Sequence, residues 1–432
     1  MKNGIEVLDS SYSWLRLFFT LIVATVGNAG MWIVILVLPE IQDTYSISRS
    51  TASIPNTLTM IGFGLGNLYF GRAIDKYGAF YVVIIAAILN AIGFYFASIS
   101  TTLSANSVCH LLIGFGTGAS FAPLVADVSL WFKKRRGVAV AIASSGNYFS
   151  GAVWPFMLGG VLETQGWEIV YHYLAMISIF AMIPLAALLR RKIPEAVILQ
   201  DNTNALNKIS SIGLSRSLLI ILLSFAGFGC CVAMSMPQIH IVALCTDLGF
   251  SLRVGSEMLS LMLIGGIISR FLSGILSDYV GGVYTLLLGS TLQCISLFLF
   301  MPFDGLVPLY VVSLIFGLSQ GGIVPSYTMI IREYVPASEA GTKAGLVLMM
   351  TILGMAFGGW ISGLIYDLSG SYQIALWNGV LFNVKPKFAR SEFVGSAPPS
   401  LIPSIFDAAT SEVSTSLFVF ASTQKTYSAA VI

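Results

Sequence analysis

Eleven stretches of this chain run for about twenty residues or more with very few charges, the pattern a bilayer-crossing helix needs. They lie near residues 14–38, 51–71, 79–99, 106–130, 137–161 and 169–190, then 217–245, 255–276, 283–302, 307–331 and 341–366. A polar stretch, 191–216, separates the first six from the rest. Composition agrees: 56% of the residues are apolar and only 10% charged, whereas a water-soluble domain carries about a quarter. The first stretch is too long for a signal-peptide core of roughly 7–15 residues and reads as a retained helix. The expected fold is an all-α membrane protein of two pseudo-symmetric six-helix bundles: residues 1–190, a connecting loop over 191–216, and residues 217–383.

The twelfth helix breaks the pattern. Gln373 to Asn383 begins an apolar run, but Lys385, Lys387 and Arg390 follow, and no later segment reaches the roughly 17 apolar residues that spanning needs. The tail over 384–432 is expected to be disordered and to replace a truncated last span, as a shifted reading frame would; a short tilted helix with a polar tail is the competing reading.

The basic residues set the orientation. Arg72 and Lys76 follow the second span, Lys133 to Arg136 the fourth, and Arg190, Arg191, Lys192, Lys208 and Arg216 the sixth. Arg332 and Lys343 fall between the tenth and eleventh, while the alternate loops hold only Arg49 and Arg253. Under the positive-inside rule the N-terminus and the central loop face the cytoplasm. The expected place is a cell membrane, specifically a bacterial inner membrane.

Some chemistry is unsupported. The net charge of +2, without basic runs among aromatics, gives no case for nucleic acid. The five cysteines, Cys109, Cys230, Cys231, Cys245 and Cys294, have no metal-ligand spacing. His110, His172 and His240 lie on different spans and form no zinc or nucleophile motif, so no metal, cofactor or catalytic residue is expected.

The chain also repeats itself. Gly71, Asp75 and Gly78 recur as Gly274, Asp278 and Gly281 at a constant offset of 203 residues, and Gly151 and Gly160 recur as Gly354 and Gly363 at the same offset. A shared offset over separate landmarks means a duplicated unit. Glycines there permit a sharp turn and close helix approach. Asp75, flanked by Arg72 and Lys76, is suited to brace a neighbouring helix end; Asp278 has no basic neighbour, so its brace is expected to be weaker.

This Gly-x-x-x-Asp-x-x-Gly pattern, present twice, resembles the loop signature of the major facilitator superfamily, whose members are secondary transporters. Trp131 to Gly137, leading into a small-residue span with Gly146 and Pro155, is similar to the monocarboxylate and oxalate–formate branch. Arg270 to Gly274 and Tyr366 to Tyr372 point the same way. The resemblance covers about residues 14–383 and implies alternating access between two bundles around a site at their interface.

Arg270 is the one basic residue that reads as deep within a span. It precedes Asp278 by eight residues, about 12 Å of helix. A guanidinium at that depth costs at least about 2.5–3.5 kcal/mol and needs a cavity or a partner. Its planar fork suits a carboxylate, and the resemblance assigns Arg270 the substrate carboxylate. The bland alternative pairs it with backbone carbonyls or Asp278. His240 and Gln238, after Pro237, and Asn28, Asn147, Tyr148 and Gln320 are further substrate-binding candidates, each equally readable as interhelical glue.

Departures from the branch limit the reading. Pro39 is followed by Glu40 rather than lysine, Gly266 stands where an acid is expected, and Lys343 lies only at the entrance of its span. A dicarboxylate is therefore disfavoured. Proton coupling is left open among Glu257, His240 and Glu40. The expected function is secondary transport of a small organic anion, a monocarboxylate; efflux of lipophilic compounds and a non-transporting receptor are the alternatives, and an enzyme is not expected.

Overall fold

The computed structural model describes residues 7–47, 49–211, 215–302 and 304–384, and every regular element in them is helical. The first six spans are α1 (Ser11–Leu36), α2 (Ile54–Tyr77), α3 (Ala79–Ser98), α4 (Leu103–Ser129), α5 (Arg136–Gln165) and α6 (Trp167–Leu188). A connecting helix α7 (Glu195–Ser211) leads to α8 (Arg216–Asp247), α9 (Leu252–Val280), α10 (Gly282–Leu299), α11 (Leu306–Tyr334), α12 (Ala340–Ser369) and α13 (Tyr372–Val384). The tail whose disorder and origin the sequence raised lies outside the described residues.

Among the described residues nine helical segments are both long and apolar enough to cross a bilayer. Helices α2 and α5, of 24 and 30 residues, have the length but spend their buried faces on small and polar groups. These include Gly62, Gly64, Gly66 and Asn67 on α2 and Ser144, Ser145, Gly146 and Asn147 on α5. Their interior role is close packing. Outward, Phe18, Leu65, Tyr69, Phe156, Phe180, Phe225 and Leu368 are exposed, as suits a surface solvated by lipid. At 13 residues, about 20 Å of helix, α13 falls short of a hydrocarbon core of about 30 Å.

Two sequence expectations need correction. The stretch 191–216, read as a loop, contains the 17-residue helix α7. Its mean apolarity is too low to flag it, but Val197, Ala205 and Ile209 are buried at four- and eight-residue spacing, one stripe of an amphipathic helix. Arg332, read as a loop residue, lies on the last turns of α11 and is 1% exposed, because that helix outruns its apolar stretch to Tyr334.

Several spans are interrupted where the sequence denies the helix a bond. Helix α11 breaks at Gly321 and Gly322, four and three residues before Pro325. Proline has no N–H, so the carbonyl of Gly321 loses its helical donor. Helix α1 breaks at Asn28, whose side-chain amide donates to Ala24 O (2.7 Å) and across to Ser120 O (3.1 Å), at the break in α4.

The two bundles meet along α2 with α12 and α5 with α9. A Cβ on Gly71 would fall on the Gly341 carbonyl and one on Gly274 against Ala141 and the Gly137 carbonyl, so only glycine allows these crossings. An apolar cluster of Phe63, Phe121, Ala122 and Leu348, with Met31, Val324 and Ile352 against it, fills the join.

Candidate functional site

The repeated motif occupies the last two turns of α2 and of α9 rather than a loop. Only its final glycines turn: Gly78 and Gly281 end their helices at φ of 82° and 85°, a region that disfavours other residues. Asp75 accepts hydrogen bonds from Gly341 N (2.8 Å), Thr342 N (2.7 Å) and Thr342 Oγ1 (2.8 Å), all at the start of α12. Asp278 accepts from Gly137 N and from Val138 N (3.1 Å) at the start of α5. Each carboxylate thus caps the second and third N–H of a helix in the opposite bundle, where free donors and the helix dipole favour negative charge. The brace expected to be weaker at Asp278 differs by one hydroxyl. A helix N-terminus supplies the positive end, so no basic neighbour is needed; Arg72 and Lys76 are exposed, with the Lys76 ammonium 5.1 Å from the Tyr77 ring centroid.

Beside these braces, Asp201 of α7 links both bundles. Its oxygens meet Arg136 Nη2 of α5 at 3.0 Å and Arg332 Nη2 of α11 at 2.6 Å. Burial alone would raise the Asp201 carboxyl, but the Arg332 and Arg136 guanidiniums outweigh it and hold the group below its usual 3.8. Lys208 of the same helix meets Glu333 Oε2 at 2.7 Å. In the first bundle Arg16, 2% exposed, pairs with Asp127 at 2.7 Å, donates to the Leu189 and Arg191 carbonyls, and covers the Trp131 ring at 4.7 Å. No local pattern signals these pairs, since Asp127 and Asp201 lie 111 and 131 residues from Arg16 and Arg332.

Arg270 stands further from the basic end, ten residues before the end of α9, about 15 Å of helix and so close to mid-bilayer depth. It is 4% exposed. Its Nε donates to Gly321 O (3.3 Å), the carbonyl that Pro325 leaves free, and its Nη1 to Ser144 O on α5. Its guanidinium carbon lies 3.6 Å from the centroid of the Tyr148 ring, a cation–π contact across the join. Among the described residues no carboxylate pairs with it, and Asp278 is committed to α5.

Gly266 lies one turn before Arg270. A Cβ there would stand 3.1 Å from Tyr148 Cε2 and 3.8 Å from Gln320 Nε2. Arg270, Tyr148 and Gln320, picked separately from the sequence, are therefore neighbours at one point of the join. The other candidates are engaged elsewhere. Asn28 ties α1 to α4. Asn147 accepts from Trp32 Nε1 (2.9 Å) and contacts Met31 Sδ (3.6 Å). His240 contacts Gly359 O (3.0 Å) through Nε2 and the Tyr372 hydroxyl (3.4 Å) through Nδ1, all within the second bundle; Gln238 is half-buried two residues away.

Past this level the tight glycine contacts lie within each bundle. Gly151 of α5 turns to Trp32 of α1, and Gly354, Gly358 and Gly359 of α12 turn to Phe228, Val232 and Ile239 of α8. The join is closed from the basic end as far as Arg270.

The model of the Major Facilitator Superfamily matches residues 20–239 and 221–384. Monocarboxylate transporter 13 of Rattus norvegicus is 26% identical over 422 residues, covering 93% of this chain and 96% of the relative. The agnestins efflux protein AgnL12 of Paecilomyces divaricatus is 22% identical, covering 72% of this chain and 70% of its own. The crystal structure of the human organic anion transporter MFSD10 superposes with a TM-score of 0.66 at 15% identity, covering 87% of this chain and 99% of that one, a likeness of fold. These relatives are transporters rather than enzymes, and they are animal and fungal, which lends no support to a bacterial inner membrane.

Proposed function

The chain belongs to the Major Facilitator Superfamily of membrane transporters, and on that premise we propose that its cargo is a small organic anion, a monocarboxylate, carried by alternating access. One observation carries this reading. The Arg270 guanidinium is buried near mid-bilayer with two carbonyls and an aromatic face, and no described carboxylate neutralises it. Arg16 and Arg332, equally buried, each have one. A substrate carboxylate completes the Arg270 shell with the bidentate geometry its fork favours. The likeness to a monocarboxylate transporter agrees with it.

In this reading the basic end faces the cytoplasm, as the excess of lysine and arginine there favours, so the end that the two aspartate caps hold closed is the inner one. The roles are divided. Arg270 binds the anion, Tyr148 and Gln320 shape its surroundings, and Asp75 and Asp278 hold the inner end shut until the bundles rock. Proton coupling has three candidates. His240 is bonded within the second bundle, Glu257 accepts from the Tyr310 hydroxyl at 2.6 Å, and Glu40 is exposed.

Uptake of labelled small monocarboxylates into proteoliposomes under an imposed pH gradient tests the reading. Wild-type protein is expected to show saturable uptake, and Arg270→Ala to lose it by about 100-fold or more, the scale of one charge-assisted bidentate contact. Dependence on the gradient assigns coupling. Efflux of lipophilic compounds is the second reading, favoured by the likeness to an efflux protein. It predicts export of a lipophilic dye that Arg270→Ala leaves intact.

A further inference from the structure

Helix α1 opens with Tyr12, Trp14 and Arg16, and two basic runs flank that end in space. Lys133, Lys134 and Arg135 precede α5; Arg190, Arg191 and Lys192 follow α6. Arg16 holds the second run by its backbone, donating to the Leu189 and Arg191 carbonyls, while Asp127 meets its charge. Asp9 holds the first run by its backbone too, accepting from Lys133 N (3.2 Å), Lys134 N (3.0 Å) and Arg135 N (3.3 Å). The two acids at this end are thus spent on a guanidinium and on peptide groups. All six basic side chains of the runs stand exposed.

Aromatic rings tie the runs into one surface. The Arg191 guanidinium lies 4.7 Å from the Tyr12 ring centroid and that of Arg135 lies 6.0 Å from Trp14. Tyr12 and Trp14 pack in turn on Trp131 and Phe132, with centroids 5.2 and 5.1 Å apart. A guanidinium stacked on a ring keeps its edge donors free, and that planar edge matches phosphate oxygens. Elsewhere at the basic end the cations are neutralised. Lys208 of α7, Arg216 of α8 and Arg332 of α11 meet Glu333, Glu339 and Asp201 at 2.7, 3.8 and 2.6 Å. None of the ion pairs among the described residues involves the six cations around α1. A general bias of basic residues to one side accounts for where charge sits, but not for this difference between paired and open cations.

The rings also say what kind of anion fits. Tyrosine and tryptophan at the mouth of an apolar span lie at the level of the lipid headgroups, so the cations stacked on them face the phosphate layer. Basic clusters of this size beside a span attract anionic lipid. We propose that the ridge around the start of α1 is a binding surface for anionic phospholipid headgroups. Arg135 and Arg191 grip phosphate, and Lys133, Lys134, Arg190 and Lys192 supply the surrounding positive field. The inference depends on neither the cargo nor the sidedness.

The test reads quenching of tryptophan fluorescence, to which Trp14 and Trp131 of the ridge contribute. Protein in phosphatidylcholine vesicles is titrated with brominated phosphatidylglycerol or with brominated phosphatidylcholine, and the quantity read is the ratio of the two apparent affinities. Because the ratio is taken within one protein, a variant that inserts less well still reports. Wild-type protein is expected to prefer phosphatidylglycerol by about 10-fold or more, and Arg135→Gln/Arg191→Gln to reduce that preference by about 5-fold or more. Arg72→Gln/Lys76→Gln removes two exposed cations outside the ridge and is expected to change it by less than about 2-fold. A wild-type ratio near one, or one that Arg135→Gln/Arg191→Gln preserves, overturns the proposal. So does an equal loss in both double variants, because diffuse charge rather than a built surface would then attract the lipid.

Discussion

At Arg16 and Arg332 a buried guanidinium meets an aspartate at 2.7 and 2.6 Å, whereas at Arg270 it meets carbonyls and a ring. On the proposed reading, the difference is between an arginine that holds the fold and one that waits for an anion. Arg270→Lys keeps the charge but not the fork that spans Gly321, Ser144 and the Tyr148 face. We expect it to raise the KM for the anion by at least about 10-fold, since the two side chains are not interchangeable at a stacked, forked site. A KM unchanged within error would mean that only charge matters there. Arg270 was legible from the sequence because it stands alone in an apolar stretch, eight residues before a recognisable motif. Arg16 and Arg332 were not, because each sits where a span shades into a polar segment and its acid comes from a distant helix. Asn28 and Asn147 looked equivalent to Tyr148 in sequence, but spacing along one helix does not say which face meets a neighbouring break.

The helices carry a reciprocal arrangement: α2 caps α12 and α9 caps α5, each across the join. Asp75→Ala and Asp278→Ala should each lower stability by about 1–3 kcal/mol, the cost of stranding helix donors, and by similar amounts. Thermal unfolding in detergent checks this, and a silent Asp278→Ala would restore the weaker brace that the sequence alone suggested. The connecting helix ties the same end. Asp201→Ala leaves Arg332 buried without its acid and should cost about 3 kcal/mol. Because the Asp201 carboxyl is held below 3.8 in the folded state, its contribution is present at all higher pH and fades only as pH falls through that depressed value. Unfolding temperatures from pH 5 to 8 should therefore show a constant difference between wild type and Asp201→Ala. The two motif copies were legible because they repeat at a fixed offset; α7 was not, because an amphipathic helix of 17 residues rich in Asn and Ser resembles a loop until its buried stripe has something to pack on.

For the whole molecule, duplication places two equivalent bundles around Arg270 and leaves one end closed. The proposed sidedness rests on the basic residues and is open to a direct check. A cysteine introduced at exposed Ser210 of α7 should label only with reagents that reach the cytoplasm; labelling from outside intact cells would invert the topology. The all-α class and the doubling were legible because lipid accepts few alternatives to apolar helices. The state of the join was not, because it depends on glycine-to-carbonyl crossings that no local pattern reports. The central claim is that this join passes a small carboxylate by way of Arg270, and counterflow tests it most directly, since exchange needs alternating access but no coupling ion. Proteoliposomes loaded with unlabelled monocarboxylate and diluted into labelled substrate should show a transient internal overshoot with wild-type protein and none with Arg270→Ala. An overshoot of equal size in both would contradict the account.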